Sequence, residues 1–169
     1  MQHIELMAPA GNFESLQAAL DNGADSIYFG VEQLNMRARA SINFTLDDLL
    51  EISRRCKEKN VRTYLTLNTI IYDHDLTIVK TLIKQAKDAD ITAVIAMDQS
   101  VIATAREVGM EVHISTQINI TNIETVKFYA LFADTMVLSR ELSLRQVKSI
   151  TEQIEKDQIK GPSGKLVEI

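Results

Sequence analysis

Two arginines stand two residues apart in Asn35-Met36-Arg37-Ala38-Arg39-Ala40. In an extended segment such side chains point the same way, and a pair of guanidinium groups is suited to a bidentate grip on carboxylate or phosphate. Solvated surface charge is the alternative. A third arginine lies in Ser139-Arg140-Glu141, where Arg140 is either another anion-binding group or the partner of Glu141. Further polar groups follow short apolar runs: Asn68 after Thr66, Asp98 after Ala96, and Ser115-Thr116-Gln117 after His113. With Tyr28, these give a candidate ligand-binding set of Arg37, Arg39, Tyr28, Asn68, Asp98, Gln117, Arg140 and Glu141, directed at a small carboxylate or a phosphate.

Catalytic groups are harder to assign. There is no Gly-x-Ser-x-Gly elbow, no His-Glu-x-x-His zinc helix and no cysteine at a strand end. Glu5, Asp98, His113 and Glu168 offer metal-ligand or acid–base chemistry, but their spacing specifies no site, and no metal is assigned. His113 reads as a hydrogen-bonded structural histidine, and His74, in Tyr72-Asp73-His74-Asp75, as loop and helix-entry chemistry. The turn Ala8-Pro9-Ala10-Gly11-Asn12 is either an anion-accepting helix entry or an ordinary turn.

The elements that must position these groups alternate along the chain. Ile4–Met7, Ser26–Gly30, Arg62–Asn68, Ala93–Asp98, Val112–Gln117, Met136–Ser139 and Leu166–Ile169 read as strands, about seven in all, separated by about six segments of helical period. Helix starts are expected at Thr45–Asp48, Thr121–Glu124 and Ser143–Gln146, each with a hydroxyl cap and an acceptor three residues on. Leu46, Leu49, Leu50, Ser53 and Cys56 form one expected buried face, and Leu144, Val147, Ile150 and Ile154 another. Cys56 is then a small core filler.

Parallel neighbours need helical crossovers, so this rhythm suits an open doubly wound sheet or a closed barrel. Alternation within the strands favours the barrel. One parity is apolar (Leu6, Ile27, Phe29, Leu65, Leu67, Val112, Ile114, Met136, Leu138), and the other is polar, including Glu5, Tyr28, Tyr64, Thr66, His113 and Glu168. The expected fold is therefore α/β, a parallel (β/α) TIM-type barrel with a wet interior, and its ligand site lies on the loops after the strands. The segment from Gly30 to about Phe44 exceeds the usual 2 to 6 residues of such a loop.

A full barrel takes roughly 250 residues and eight strands. Residues 1–169 therefore read as a single incomplete barrel domain, expected to dimerise through an open edge, to swap elements, or to bring its first and last strands together. A formal charge of −5 argues against a wholesale nucleic-acid footprint, although a local basic patch can still bind RNA. One cysteine excludes an intrachain disulfide, and no apolar run approaches the roughly 20 residues of a membrane span, so a cytoplasmic location is expected.

The strand-end segments Leu6–Gly11, Gly23–Gly30, Asn35–Ala40 with Asn43-Phe44, His113–Gln117 with Asn122, and Val137–Ser143 together resemble the U-thirty-two peptidase family, collagenase-like proteases of unassigned catalytic type. The resemblance covers essentially the whole chain. It implies a barrel followed by a cysteine-containing segment that is absent here, and an iron–sulfur cluster, where relatives carry one, on cysteines beyond residue 169. It also implies bacterial RNA hydroxylation as a function, either 5-hydroxyuridine formation at the tRNA wobble position with a prephenate requirement or ribosomal RNA hydroxylation. Leu138–Ser143 and Thr125–Tyr129 look most like the tRNA group. Prephenate, a dicarboxylate, suits Arg37, Arg39 and Arg140. The leading expectation is tRNA-uridine hydroxylation, beside a protease and a non-catalytic binding or partner module, with these 169 residues inert by themselves.

Overall fold

A computed structural model describes residues 4–31 and 44–169. Six parallel strands pair strictly in chain order: β1 (Met7–Ala10), β2 (Ser26–Phe29), β3 (Arg62–Leu67), β4 (Ala93–Ala96), β5 (Glu111–Ile114) and β6 (Thr135–Met136). Each strand leads into a helix: α1 (Phe13–Asp21), α2 (Leu49–Glu58), α3 (Leu76–Asp88), α4 (Gln99–Glu107), α5 (Ile123–Tyr129) and α6 (Leu144–Lys156). No reversal of strand order occurs among them, which is the wiring of a barrel wall and not of a doubly wound sheet.

Seven strands were expected, and among the described residues six form. The seventh segment lies where the rhythm places it, but it is reduced to two isolated bridges, parallel between Thr135 and Glu168 and antiparallel between Lys160 and Leu166. The Glu168 N–H donates to Asp134 O at 2.8 Å, and the Met136 N–H donates to Glu168 O at 3.0 Å. A second correction concerns the first strand, which runs over Met7–Ala10 and not Ile4–Met7, leaving Leu6 exposed. Pro9 is tolerated there because β1 pairs only with β2 among the described strands, so its missing N–H costs no ladder bond on the free side.

Side-chain parity divides the sheet as expected. Ile27, Phe29, Leu65, Leu67, Val112, Ile114 and Met136 join the main core beneath the helices, together with Leu49, Ile52, Cys56, Leu82 and Ile83. Fully burying each such side chain stabilises the fold by about 1.5–3 kcal/mol. The opposite parity carries a small separate cluster of Tyr64, Ala93 and Ile95, with Tyr28 against it. The interior is thus less polar at β4 than the alternation implied. The helix faces are also narrower: Leu50 is 69% exposed and Leu144 88%, because each lies roughly 100° round its helix from the middle of the buried stripe.

Local chemistry explains where helices start and stop. Ser143 and Gln146 form a reciprocal cap at α6, while Thr45 donates through both its N–H (2.7 Å) and hydroxyl (2.9 Å) to Asp48 before α2. At α5 the cap is Asn122, one residue later than expected, accepting from Thr125 N–H at 3.0 Å. Five helices end the same way, with a left-handed residue at Gly23, Asn60, Asp90, Gly109 or Gln158. The next residue's N–H then reaches back to close the last turn, as in Val61 N–H to Cys56 O at 2.9 Å and Ile159 N–H to Ile154 O at 3.0 Å. This repeated stop turns the chain into the following strand and sets the strand ends opposite it as the mouth.

Candidate functional site

At the mouth, two neighbouring loops are stitched together. Ser115 N–H donates to Ala96 O at 2.8 Å, and Ser139 N–H to Ile120 O at 2.9 Å. The Thr116 hydroxyl donates to Leu138 O at 3.4 Å, and Ile120 and Leu138 form a parallel bridge. This stitching sets Gln117 on the β5–α5 loop and Arg140 and Glu141 on the β6–α6 loop, all three exposed. Ser139 is buried, and its hydroxyl donates to the Glu141 carboxylate. That donation, with the Arg140 charge adding a smaller share, holds Glu141 below the usual carboxylate range.

The other expected ligand-binding residues divide. Asn68 is half-buried just past β3, and Tyr28 is half-buried on the interior parity, against Tyr64 and Ile95. Asp98, in the loop just past β4, caps the next helix: its carboxylate accepts from Ser100 N–H (2.8 Å) and hydroxyl (2.6 Å) at the start of α4, on the opposite parity from Ile95. Arg37 and Arg39 lie outside the described residues. The chain leaves those residues at Val31 and re-enters at Phe44, and these two form a parallel bridge at the mouth end of β2. Phe44 packs edge-to-face on Phe13 (5.1 Å) and Phe29 (5.8 Å), so that anchor is firmly seated.

The first turn follows the ordinary reading. Gly11 and Asn12 N–H both donate to Ser15 Oγ (3.0 and 3.2 Å), and Asn12 Oδ1 accepts from Ser15 N–H at 2.8 Å, so α1 satisfies its own entry.

The interior polar groups gather at the opposite end of the strands. Tyr64, 2% exposed, donates its hydroxyl to Glu5 Oε1 at 2.6 Å, and Arg62 holds the other Glu5 oxygen. Burial first, then the adjacent Glu5 carboxylate, pushes the Tyr64 phenol well above its ordinary value. His113 Nε2 lies 2.9 Å from Glu111 Oε1, and its ring sits 4.6 Å from that of Tyr64. The His113 hydrogen bond holds Glu111 below the usual carboxylate range. Arg62 escaped the sequence reading, although its parity with Tyr64 and Thr66 was the available signal. His113 is the hydrogen-bonded structural histidine that was expected. Among the described residues no group of three or more His, Cys, Asp or Glu side chains is placed to hold a metal.

Strands that pair in chain order, each followed by a helix, with polar loops at one rim, define a TIM-type α/β barrel fold. The family model described as Peptidase family U32 matches residues 11–159, and the chain belongs to that family. It is 52% identical over 165 residues to a protein named "Collagenase" from Porphyromonas gingivalis, covering 98% of this chain and 40% of that one. It is 32% identical over 154 residues to "tRNA hydroxylation protein P1" of Bacillus subtilis, covering 89% of this chain and 36% of that protein. A third relative, "23S rRNA 5-hydroxycytidine C2501 synthase" of Escherichia coli, is 31% identical across 87% of this chain and 22% of its own length. The chain thus spans about two fifths or less of the length of these relatives. Among solved structures, a U32 peptidase superposes with a TM-score of 0.72 at 16% identity, over 90% of this chain and 66% of that one. A tryptophan synthase alpha chain from Legionella pneumophila does so with a TM-score of 0.59 at 20% identity, over 94% and 69%. Both likenesses are of fold.

Proposed function

We propose that this chain is the barrel portion of a protein acting in tRNA wobble-uridine 5-hydroxylation, with a prephenate-like carboxylate held at its mouth. Supporting this are the relatives named for RNA hydroxylation and the stitched rim, whose two loops carry Gln117 and Arg140, both exposed. Arg140 supplies charge and planar donors there, and the long segment carrying Arg37 and Arg39 is anchored to the same rim through Val31 and Phe44. The observation that carries the reading is how the reactive side chains are committed. Burial in the core pushes the Cys56 thiol up to about 11, His113 is paired with Glu111 at the far end, and the Ser139 hydroxyl is given to Glu141. Ser139 is buried and faces a carboxylate held below its usual range, a weak base, so neither it nor Cys56 is the activated nucleophile that peptide hydrolysis by serine or cysteine requires.

The role of these residues is binding and orientation. Converting the C5–H of uridine to C5–OH is a two-electron oxidation, and no side chain here is an oxidant of that kind. An iron–sulfur cluster needs about four thiolates, which the single, core-packed Cys56 does not supply.

The second reading is a collagenase-like protease, favoured by the 52% identity to a protein of that name. Mass spectrometry of tRNA nucleosides from cells lacking the gene separates the two. Loss of 5-hydroxyuridine-type nucleosides supports RNA hydroxylation. Unchanged nucleosides, with gelatin cleaved by the purified protein, would establish the protease.

A further inference from the structure

The loop after β3 reaches the mouth and exposes three apolar or aromatic side chains there, Ile70 (60% exposed), Tyr72 (61%) and His74 (side chain 80%). Tyr72 and His74 are stacked, with rings 3° from parallel and centroids 5.7 Å apart. This pair is not loosely held. Tyr72 N–H donates to the Asp75 carboxylate at 3.0 Å, and Asp75 N–H returns to Tyr72 O at 2.8 Å, closing the short 3-10 turn Asp73–Asp75. A flat, pre-positioned aromatic surface open to solvent on the functional face is costly to leave without purpose and well shaped to receive another flat ring.

The helix that follows supplies the matching charge. In α3 the ionisable side chains are Lys80, Lys84 and Lys87, with Asp88 only at the far end. Lys80 and Lys84 are exposed, make no ion pair among the described residues, and stand about 6 Å apart along the axis, one and two turns below the mouth. Lys87 donates to Gly109 O at 2.8 Å and so points around the lower flank. In a chain of net charge −5, a wholly basic helix face running away from an aromatic step is a local departure. Asp73 on the turn opposes a phosphate at that point, which assigns the turn to a base and the lysines to the backbone.

We propose that Tyr72 and His74 form a stacking platform for an unpaired base of single-stranded RNA, whose phosphates then follow Lys80 and Lys84 along α3. The proposal rests on the RNA-directed reading above and gives it a contact surface outside the carboxylate site. Base stacking on exposed aromatic side chains combined with a tracking line of cations is how proteins hold single strands without reading their sequence.

Fluorescence anisotropy with a labelled twelve-nucleotide oligouridine and with tRNA tests it. Tyr72→Ala is expected to weaken oligouridine binding about 10-fold or more, and Tyr72→Trp to retain it. Lys80→Met with Lys84→Met removes two phosphate contacts and should make the slope of log K against log salt shallower by about 1.4. Circular dichroism checks that these surface variants fold. If the parent binds RNA and these variants bind it equally with an unchanged slope, the platform is wrong while the RNA reading stands. If the parent binds neither RNA, both fall. Variants that lose gelatin binding but keep RNA binding would overturn the platform in favour of a peptide surface.

Discussion

Replacing Tyr64 by Phe removes one oxygen from the barrel interior and leaves everything else about the ring in place. The ring is 2% exposed and packs with Ala93, Ile95 and Tyr28 and beside His113 at 4.6 Å, contacts a phenylalanine keeps. What is lost is the 2.6 Å hydrogen bond to Glu5 Oε1. A hydrogen bond to an ionised group contributes about 1.5–3 kcal/mol. The upper half of that range is muted because Arg62 still holds the other Glu5 oxygen, so a loss of about 1.5–2 kcal/mol is expected. Urea unfolding followed by far-ultraviolet circular dichroism reads this as a midpoint lower by about 1 M, for a slope of about 2 kcal/mol per M. Combining Tyr64→Phe with Glu5→Gln should give less than the sum of the two single effects, since each removes part of the same bond. A Tyr64→Phe stability within 0.5 kcal/mol of the parent's would refute the reasoning, because it would mean that the interior network is not formed in solution.

Three other outcomes follow from geometry on the same scale. Gln158 holds a left-handed conformation (φ 51°) after α6, so Gln158→Gly should raise stability by about 0.5–1 kcal/mol in thermal unfolding, whereas a fall would show that its side chain is needed. A Cβ on Gly161 would lie 2.8 Å from the Asp134 Cα and 2.3 Å from its Oδ1, so Gly161→Ala should destabilise the segment beside β6 and speed hydrogen exchange at Glu168 N–H, which donates to Asp134 O. Glu111 has its folded pKa lowered by His113; the unfolded chain therefore binds more protons as pH falls, and this stabilising contribution is present above about pH 4.3 and lost below it. Glu111→Gln should accordingly flatten the acid limb of the stability profile, and an unchanged limb would remove Glu111 from that role.

Much of the fold was legible because burial imposes a period of two on each strand. Ile27 and Phe29 face the helices and Tyr28 the interior, as their types alone indicate. The first strand was misplaced because Ile4-Glu5-Leu6 alternates apolar and polar residues as a strand does, while Met7–Ala10 holds a proline; pairing with β2 at an edge, a non-local fact, decided it. Asp98 was assigned to the mouth as a ligand group; an aspartate just before Gln99-Ser100-Val101 also fits a helix cap, and it caps α4 at that same end of β4. Thr121 and Asn122 are both good caps, so composition had no means to choose between them. The loops that carry Gln117 and Arg140 are tied by a bond from Thr116 to Leu138, 22 residues apart, and only the strand positions before them were readable. Arg62, Glu5 and Tyr64 meet across 57 and 59 residues, and no pattern within one segment announces that.

The proposed carboxylate ligand depends on Arg140, Arg37 and Arg39. Isothermal titration of the protein with prephenate, beside Arg140→Met and Arg37→Met with Arg39→Met, tests it most directly. Saturable binding by the parent is expected, weakened about 10-fold or more in each variant, in line with about 1.5–3 kcal/mol for a charge-assisted contact. Parent binding that persists unchanged in both variants, or no heat with the parent at all, would contradict it.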